Sequence, residues 1–180
     1  MFNIFKKYDK EHIRGNTNTY DVMDVSAFII NYCDKRNQPI ENLRVQKLLY
    51  LVQAYFVTET KEKKPLFNES IEAWKFGPVV PASYYCLHQY EYNKIRNFHS
   101  YETLCSTTPK TFRKDAIALK DREMIQRVVD KYSHYKLSEL VGLTQSHDPW
   151  SKAYGFGGLN TDKTISIDSI RTYFKEHPQF

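Results

Sequence analysis

The side chains able to do covalent or metal chemistry in this sequence are few and badly spaced for it. Cys86 and His88 lie two residues apart, which on a helix points them to different faces, so a thiolate and its base are not brought together. His134 and His147 are thirteen residues apart with no cysteine ligands nearby, and Cys33, Cys86 and Cys105 form neither a CxxC pair nor a Cys/His cluster of the kind structural zinc needs. Gly155, Gly157 and Gly158 lack both the preceding strand and the following Lys-Ser/Thr of a phosphate-binding loop. No catalytic residue, metal or cofactor is therefore expected. What remains is recognition chemistry, carried by Tyr and Trp, which combine large apolar area with one polar tip.

The elements that must position those rings follow from periodicity. Between Leu48 and Val57 the plainly polar side chain is Gln53. A run apolar on nearly every face belongs inside, with neighbours packed around it, and Asn42 is read as its cap. Gln46, Lys47 and Tyr50 on this helix have two possible uses: satisfying hydrogen bonds of neighbouring loops, or forming one wall of a partner-binding groove. After a charged connector over Glu59–Phe67, Ile71, Trp74 and Phe76 alternate with Glu72 and Lys75, a short extended segment that Gly77-Pro78 should end in a rigid turn. That turn would present Val79, Tyr84 and Tyr85 at the start of a Tyr-rich helix from Val79 to about Tyr92. Trp74 reads first as a core anchor and second as an exposed hot spot.

Around this centre, Val22, Val25, Phe28, Ile29 and Tyr32 recur on one helical face, capped by Asp21 or Asp24 and ending near Lys35-Arg36-Asn37. Residues 93 to 115 lack a period and contain Pro109, which reads as a loop with a short strand. Asp121 is expected to cap a helix whose core face is Met124, Ile125, Val128, Val129 and Tyr132. A short helix should follow at Ser138-Glu139-Leu140, then a helix start with Pro149 in its first turn and Trp150 as a buried plug beneath it. Asp168 or Ser169 should cap a last helix through Ile170, Tyr173 and Phe174. The expected architecture is mainly α: a single compact helical domain around a buried central helix, with at most a small β element near residues 71–76. Residues 1–20, basic-aromatic and then polar, read as a flexible or docking extension, and 21–176 as the domain.

Composition bounds the rest. At 180 residues the chain supports one sizeable core, and 15% aromatic residues with 14 Tyr is high for a globular protein. A net charge of +5, with 21 acidic residues interspersed, permits an acidic partner without demanding one. The odd cysteine count, and the lack of an apolar run near the roughly 18 residues of a membrane span, read as a reduced cytoplasmic protein.

Three stretches in order, Leu43-Arg44-Val45-Gln46-Lys47-Leu48-Leu49-Tyr50, then Pro65-Leu66-Phe67, then Ile71-Glu72-Ala73-Trp74-Lys75-Phe76-Gly77-Pro78-Val79-Val80-Pro81, resemble the Panacea domain of SocA-like antitoxins and GepA-type phage-associated proteins. Thr144, Pro149 and Trp150 fit that family's Thr-His-x-x-x-Pro-Trp element, and Ile170 through Phe174 its closing helix. The resemblance spans roughly residues 20 to 176. One departure is that the family often has His directly after the Thr and an acidic residue two further on, where this chain has Gln145 and His147. A His–acid pair that did chemistry elsewhere in the family would be lost here. The resemblance implies a non-enzymatic antitoxin of a type II-like toxin–antitoxin system, which binds a toxin protein encoded by a neighbouring gene. Gln46, Lys47, Tyr50, Trp74, Lys75, Gly77, Pro78, Val79, Tyr84 and Tyr85 are the candidate partner-binding residues. Two other readings stay open: an adaptor that delivers a toxin or phage-related protein to a protease, and an RNA-binding module. The latter would use Lys94, Arg96, Lys110, Arg113 and Lys114 with Tyr90, Tyr92 and Tyr101, although the mixed charge there favours a solvated face.

Overall fold

A computed structural model describes residues 19–103, 106–111, 116–155, 157 and 161–180. The expected 1–20 extension lies outside them apart from Thr19 and Tyr20.

The first described helix, α1 (Val22–Lys35), begins where the Asp21 carboxylate accepts the Met23 amide at 2.7 Å. Of the two expected caps, Asp21 and Asp24, it is Asp21 that satisfies one of the donors a helix start leaves orphaned. The central helix α2 (Asn42–Thr58) is buried over most of its length. Its N-cap position belongs to Glu41, with extended backbone at φ −86° and ψ 159°, and not to Asn42 as expected. Asn42 is already inside the helix, where its amide donates to the Tyr84 carbonyl at 3.0 Å and its oxygen accepts from Gln46 Nε2 at 2.9 Å.

The polypeptide then forms a small antiparallel sheet. Strand β1 (Ile71–Trp74) runs down its middle, with β2 (Gly77–Val79) on one side and β5 (Thr164–Ile165) on the other. Trp74 pairs with Gly77, so the reversal is made by Lys75 and Phe76, and Gly77-Pro78 opens a strand instead of ending one. The physical reason is visible in the dihedrals. Gly77 takes φ +94°, which completes the reversal directly behind the two turn residues. Pro78 is tolerated because β2 is an edge strand, where a missing N–H breaks no ladder.

Helix α3 (Pro81–Cys86) follows and passes into a 3-10 turn at His88–Tyr90, shorter than the expected helix to Tyr92. The Tyr84 carbonyl, which a longer helix would use in its own ladder, accepts from Asn42 instead, and Glu91 at φ +49° closes the segment. Residues 100–111, expected as a loop with a short strand, include a hairpin of β3 (Ser100–Thr103) and β4 (Ser106–Thr111), and Pro109 fits because each strand of such a ribbon has an unpaired edge.

Helix α4 (Leu119–Tyr132) has Ala118 at its cap position. Asp121 falls inside the first turn, where its carboxylate accepts the Tyr20 hydroxyl at 2.6 Å, a correction to its expected role as cap. Helices α5 (Leu137–Gln145) and α6 (Asp148–Tyr154) form a bent pair, with Pro149 in the first turn of α6. The last helix, α7 (Ile167–Glu176), is capped by Ser166, whose hydroxyl accepts the Ser169 amide at 3.1 Å, and not by Asp168 or Ser169.

The molecule is mainly α-helical, with α2 at its centre in contact with α1, α3, α4, α5, α7 and β2. Fully buried Leu49, Tyr50, Leu51, Val52, Phe67, Ile29, Ile30 and Phe174 fill the core. No helix among the described residues is long and apolar enough to cross a membrane.

Candidate functional site

Gln46, Gln53 and Lys47, buried on α2, tie other stretches of the chain to it. Gln46 accepts the Val80 amide at 3.0 Å and donates to Asn42 and to the Ser83 hydroxyl, fixing the junction of β2 and α3. Gln53 donates to the Phe67 carbonyl at 2.8 Å and accepts from the Leu66 amide at 2.8 Å, pinning the connector that precedes β1. Lys47 donates to the Pro78 carbonyl at 2.8 Å from a position with no solvent exposure. Burial pushes its amine down to about 7, because an ammonium in an apolar interior loses its hydration. Lys47 Nζ lies directly under Gly77: a Cβ built there would be 3.0 Å from it and 2.9 Å from Thr144 Oγ1.

Tyr50 is also fully buried, and its ring packs against Phe174 at 6.0 Å and His147 at 5.8 Å. His147 is enclosed by Tyr50, Tyr173 and Phe174, and burial, aided by nearby His177, pushes its imidazole down to about 4. Its Nε2 lies 3.2 Å from Gln179 Nε2 and its Nδ1 3.3 Å from the Tyr50 hydroxyl, so each ring nitrogen has a polar neighbour. This residue, which departs from the family pattern, is a neutral core group.

The other candidate residues lie on the outer face of the sheet. Strand alternation buries Ile71 and Ala73 and turns Glu72 and Trp74 outward. The Trp74 ring meets Tyr84 at 5.0 Å and Tyr85 at 5.9 Å, the two tyrosines are 5.7 Å apart, and His88 packs on Tyr84 at 6.0 Å. All but the last of these pairs are edge-to-face, the arrangement aromatic quadrupoles favour. Trp74, Tyr84 and Tyr85 are half-buried, and beside them the Lys75-Phe76 turn projects, with Phe76 57% exposed and Lys75 Nζ 5.6 Å over its ring. Gly77, Pro78 and Val79 are buried beneath.

The turn is held from behind by the Thr144-to-Trp150 stretch. Gln145 Nε2 donates to the Lys75 carbonyl at 2.9 Å, and Trp150 Nε1 donates to the Trp74 carbonyl at 3.0 Å. Trp150 is half-buried and stacks on Tyr154 at 4.7 Å, so it braces β1 from the side instead of plugging the core beneath its helix.

Thus the ten candidates divide. Gln46, Lys47 and Tyr50 are internal fasteners, Gly77, Pro78 and Val79 form the seated strand, and Trp74, Lys75, Tyr84 and Tyr85 share an outward face. Phe76 and Glu72 lie on that face as well, Glu72 by alternation with Trp74 and Phe76 as the apolar tip of a two-residue turn. A cavity of about 600 Å³ elsewhere, lined by Tyr20, Asp21, Asp24, Lys64 and Asp121 among others, involves none of them. Of the basic-tyrosine set, Arg113 and Lys114 and the side chains of Tyr101 and Lys110 lie outside the described residues. Arg96 pairs with Asp34 at 3.1 Å, Tyr90 packs on Phe98 at 5.8 Å, and Tyr92 and Lys94 are exposed. Among the described residues no cluster of three or more His, Cys, Asp or Glu could hold a metal ion.

No solved structure matches the chain. Antitoxin SocA of Caulobacter vibrioides (strain NA1000 / CB15N) is 39% identical over 66 residues, which are 37% of this chain and 34% of that protein. The match thus spans about a third of the relative's length. The family model described as antitoxin SocA-like, Panacea domain, covers residues 45–151, more than half of the chain, and includes α2 from Val45 onward, β1, β2 and the bracing stretch through Trp150. This protein belongs to the SocA-like antitoxin, Panacea domain family.

Proposed function

We propose that this protein is a non-enzymatic cytoplasmic antitoxin that neutralises a toxin, encoded by a neighbouring gene, by binding it directly through the outer face of the sheet. The observation that carries this reading is the rigid display of Trp74, Tyr84 and Tyr85 beside the exposed Phe76 turn, within the family-matched region. Rings of this kind are the usual anchors of interfaces, and here they are pre-ordered by the fasteners beneath, so binding costs little further entropy. Residues 21–176 act as the binding unit, with 1–20 as an extension. A stable complex should bury about 1,200–2,000 Å².

The test is growth of cells induced for the neighbouring open reading frame, alone and with this protein. Arrest that the protein relieves, with a complex that co-purifies at constant toxin level, supports neutralisation by blocking. Phe76→Asp should leave the melting temperature within about 2 °C of the parent, since exposed positions are tolerant, yet abolish rescue. Rescue by Phe76→Asp at undiminished strength would remove the turn from the interface.

A further inference from the structure

Resting on the reading of this face as the partner surface, we infer that the Lys75-Phe76 turn enters a cleft of the toxin as a fixed wedge, with Gln145 as the residue that positions it. Phe76 fills an apolar recess of that cleft, and the Lys75 ammonium meets a carboxylate at its rim. The hairpin carrying the turn is of the tightest kind. Trp74 pairs with Gly77, so two residues make the whole reversal. Both are exposed, while Gly77, Pro78 and Val79 behind them are buried. Ring and ammonium therefore project together as one narrow tip, with Lys75 Nζ 5.6 Å over the Phe76 ring. A tip this small loses most of its water-exposed apolar area only between walls, which makes a recess its complement. An ammonium carried in beside the ring must exchange its water for an opposite charge, which places an acidic group at the mouth of that recess.

The brace behind the tip is what makes it a wedge. Gln145 Nε2 donates to the Lys75 carbonyl at 2.9 Å and Trp150 Nε1 to the Trp74 carbonyl at 3.0 Å, both from elements far along the chain. Trp74 is fixed a second time by its own indole N–H, which donates to Glu72 Oε2 at 2.8 Å. Gln145 is the last residue of α5 and follows Thr144, whose buried hydroxyl is tied to the Leu140 carbonyl, so the brace is anchored in the core. At an exposed turn water could satisfy the Lys75 carbonyl as well, so the bond from Gln145 is not required for solvation. Its effect is to hold one orientation of the tip before binding, which spares the ordering that a loose turn would undergo in the cleft.

The experiment uses the intact protein and the product of the neighbouring open reading frame. Gln145→Met keeps the reach of the side chain and removes its donor. It should leave the melting temperature within about 2 °C of the parent and weaken toxin binding about three- to tenfold. Phe76→Ala should weaken binding at least about tenfold, and in that background Gln145→Met should cost less than about twofold, since no wedge remains to be positioned. Lys75→Gln should weaken binding and flatten its salt dependence. Additive losses in the Gln145–Phe76 cycle, or a salt dependence that Lys75→Gln leaves unchanged, would overturn the proposal. A second readout needs no toxin. By NMR relaxation the Phe76 amide of the parent should be as ordered as the flanking strands, with an order parameter of about 0.85, and should fall toward about 0.6 in Gln145→Met. The parent and Lys75→Gln measurements stand by themselves if Gln145→Met does not fold. A Phe76 amide already mobile in the parent, or equally ordered in both proteins, overturns the wedge and leaves the antitoxin reading where rescue in cells is intact. An ordered, Gln145-dependent turn in a protein that neither rescues nor binds removes the antitoxin reading and the toxin cleft with it.

Discussion

Replacing Gly77 by Ala tests the centre of the structure with one methyl group. Gly77 has φ +94°, a region in which a side chain costs about 1–2 kcal/mol. Its new Cβ would lie 2.9 Å from Thr144 Oγ1, 3.0 Å from Lys47 Nζ and 3.1 Å from Lys47 Cε. Neither neighbour can retreat cheaply. The Thr144 hydroxyl is fixed to the Leu140 carbonyl at 2.9 Å, and the Lys47 amine to the Pro78 carbonyl at 2.8 Å, both without exposure to solvent. Overpacking at such a site costs about 1–3 kcal/mol. The sum is about 3 kcal/mol, which for a domain of this size lowers the melting temperature by about 6–12 °C. Gly142 supplies the control. It is exposed in helix α5, and a Cβ added to it would meet nothing within 4 Å, so Gly142→Ala should gain up to about 1 kcal/mol from helix propensity. Thermal unfolding by circular dichroism reads both. Gly77→Ala melting within about 1 °C of the parent would show that the glycine is neither strained nor pressed against Lys47, and the account of the seated strand would fail.

The buried titratable groups make pH-resolved predictions. Lys47 has a folded-state value near 7 against 10.5 in the open chain, so the unfolded state binds the extra proton between them, and stability from this residue rises with pH across that window. The difference between parent and Lys47→Met in urea unfolding should therefore shift in the parent's favour from pH 7 to 10, and a pH-independent difference would refute the buried, uncharged amine. His147 is held near 4 against 6.5, so the parent should lose stability relative to His147→Gln as pH falls from 6.5 to 4, and no such divergence would mean the imidazole is hydrated. Gln53→Leu strands the Leu66 amide and the Phe67 carbonyl, at about 1–3 kcal/mol for each buried group left without a partner, and a urea midpoint unchanged from the parent would show that the connector finds other partners.

The helices were legible where burial is one-sided or total. The face Val22, Val25, Ile29 and the run Leu48–Val57 specify α1 and α2 by pattern alone, because apolar spacing records what is covered. Ends and turns were less legible. Asn42 and Asp121 are good caps by residue type, but each is used in a tertiary bond, to Tyr84 and Tyr20, which local preference does not encode. Gly77-Pro78 carries turn residues, and only the pairing of Trp74 with Gly77 reveals that the glycine finishes a reversal made one step earlier. The outward face was half-legible for the same reason: Trp74, Tyr84 and Tyr85 are conspicuous as residue types, whereas the partnership of Glu72 with Trp74 depends on strand orientation.

The family-like motifs make mechanical sense once assembled. Lys47 on α2, the Gly77-Pro78 strand and Thr144 meet at one buried point, Gln46 fixes the Val80 amide at the end of that strand, and Gln145 and Trp150 hold the carbonyls of Lys75 and Trp74 on its other side. Such residues constrain each other. The outward rings and the tip of the turn, in contrast, have backbone held from behind at Trp74 and Lys75, while their side chains pack on one another and, for Trp74, on Glu72. If the outer face is the toxin-binding surface proposed above, a scaffold built this way separates the holding of that surface from its content. Substitutions at Phe76, Tyr84 or Tyr85 should alter which toxin is bound while leaving the fold intact, whereas substitutions at Lys47, Gly77 or Thr144 should lower stability and binding together. Paired measurement of melting temperature and toxin affinity across both sets decides it: a loss of affinity without loss of stability in the buried set would place the interface inside the molecule's own fastening and refute the division.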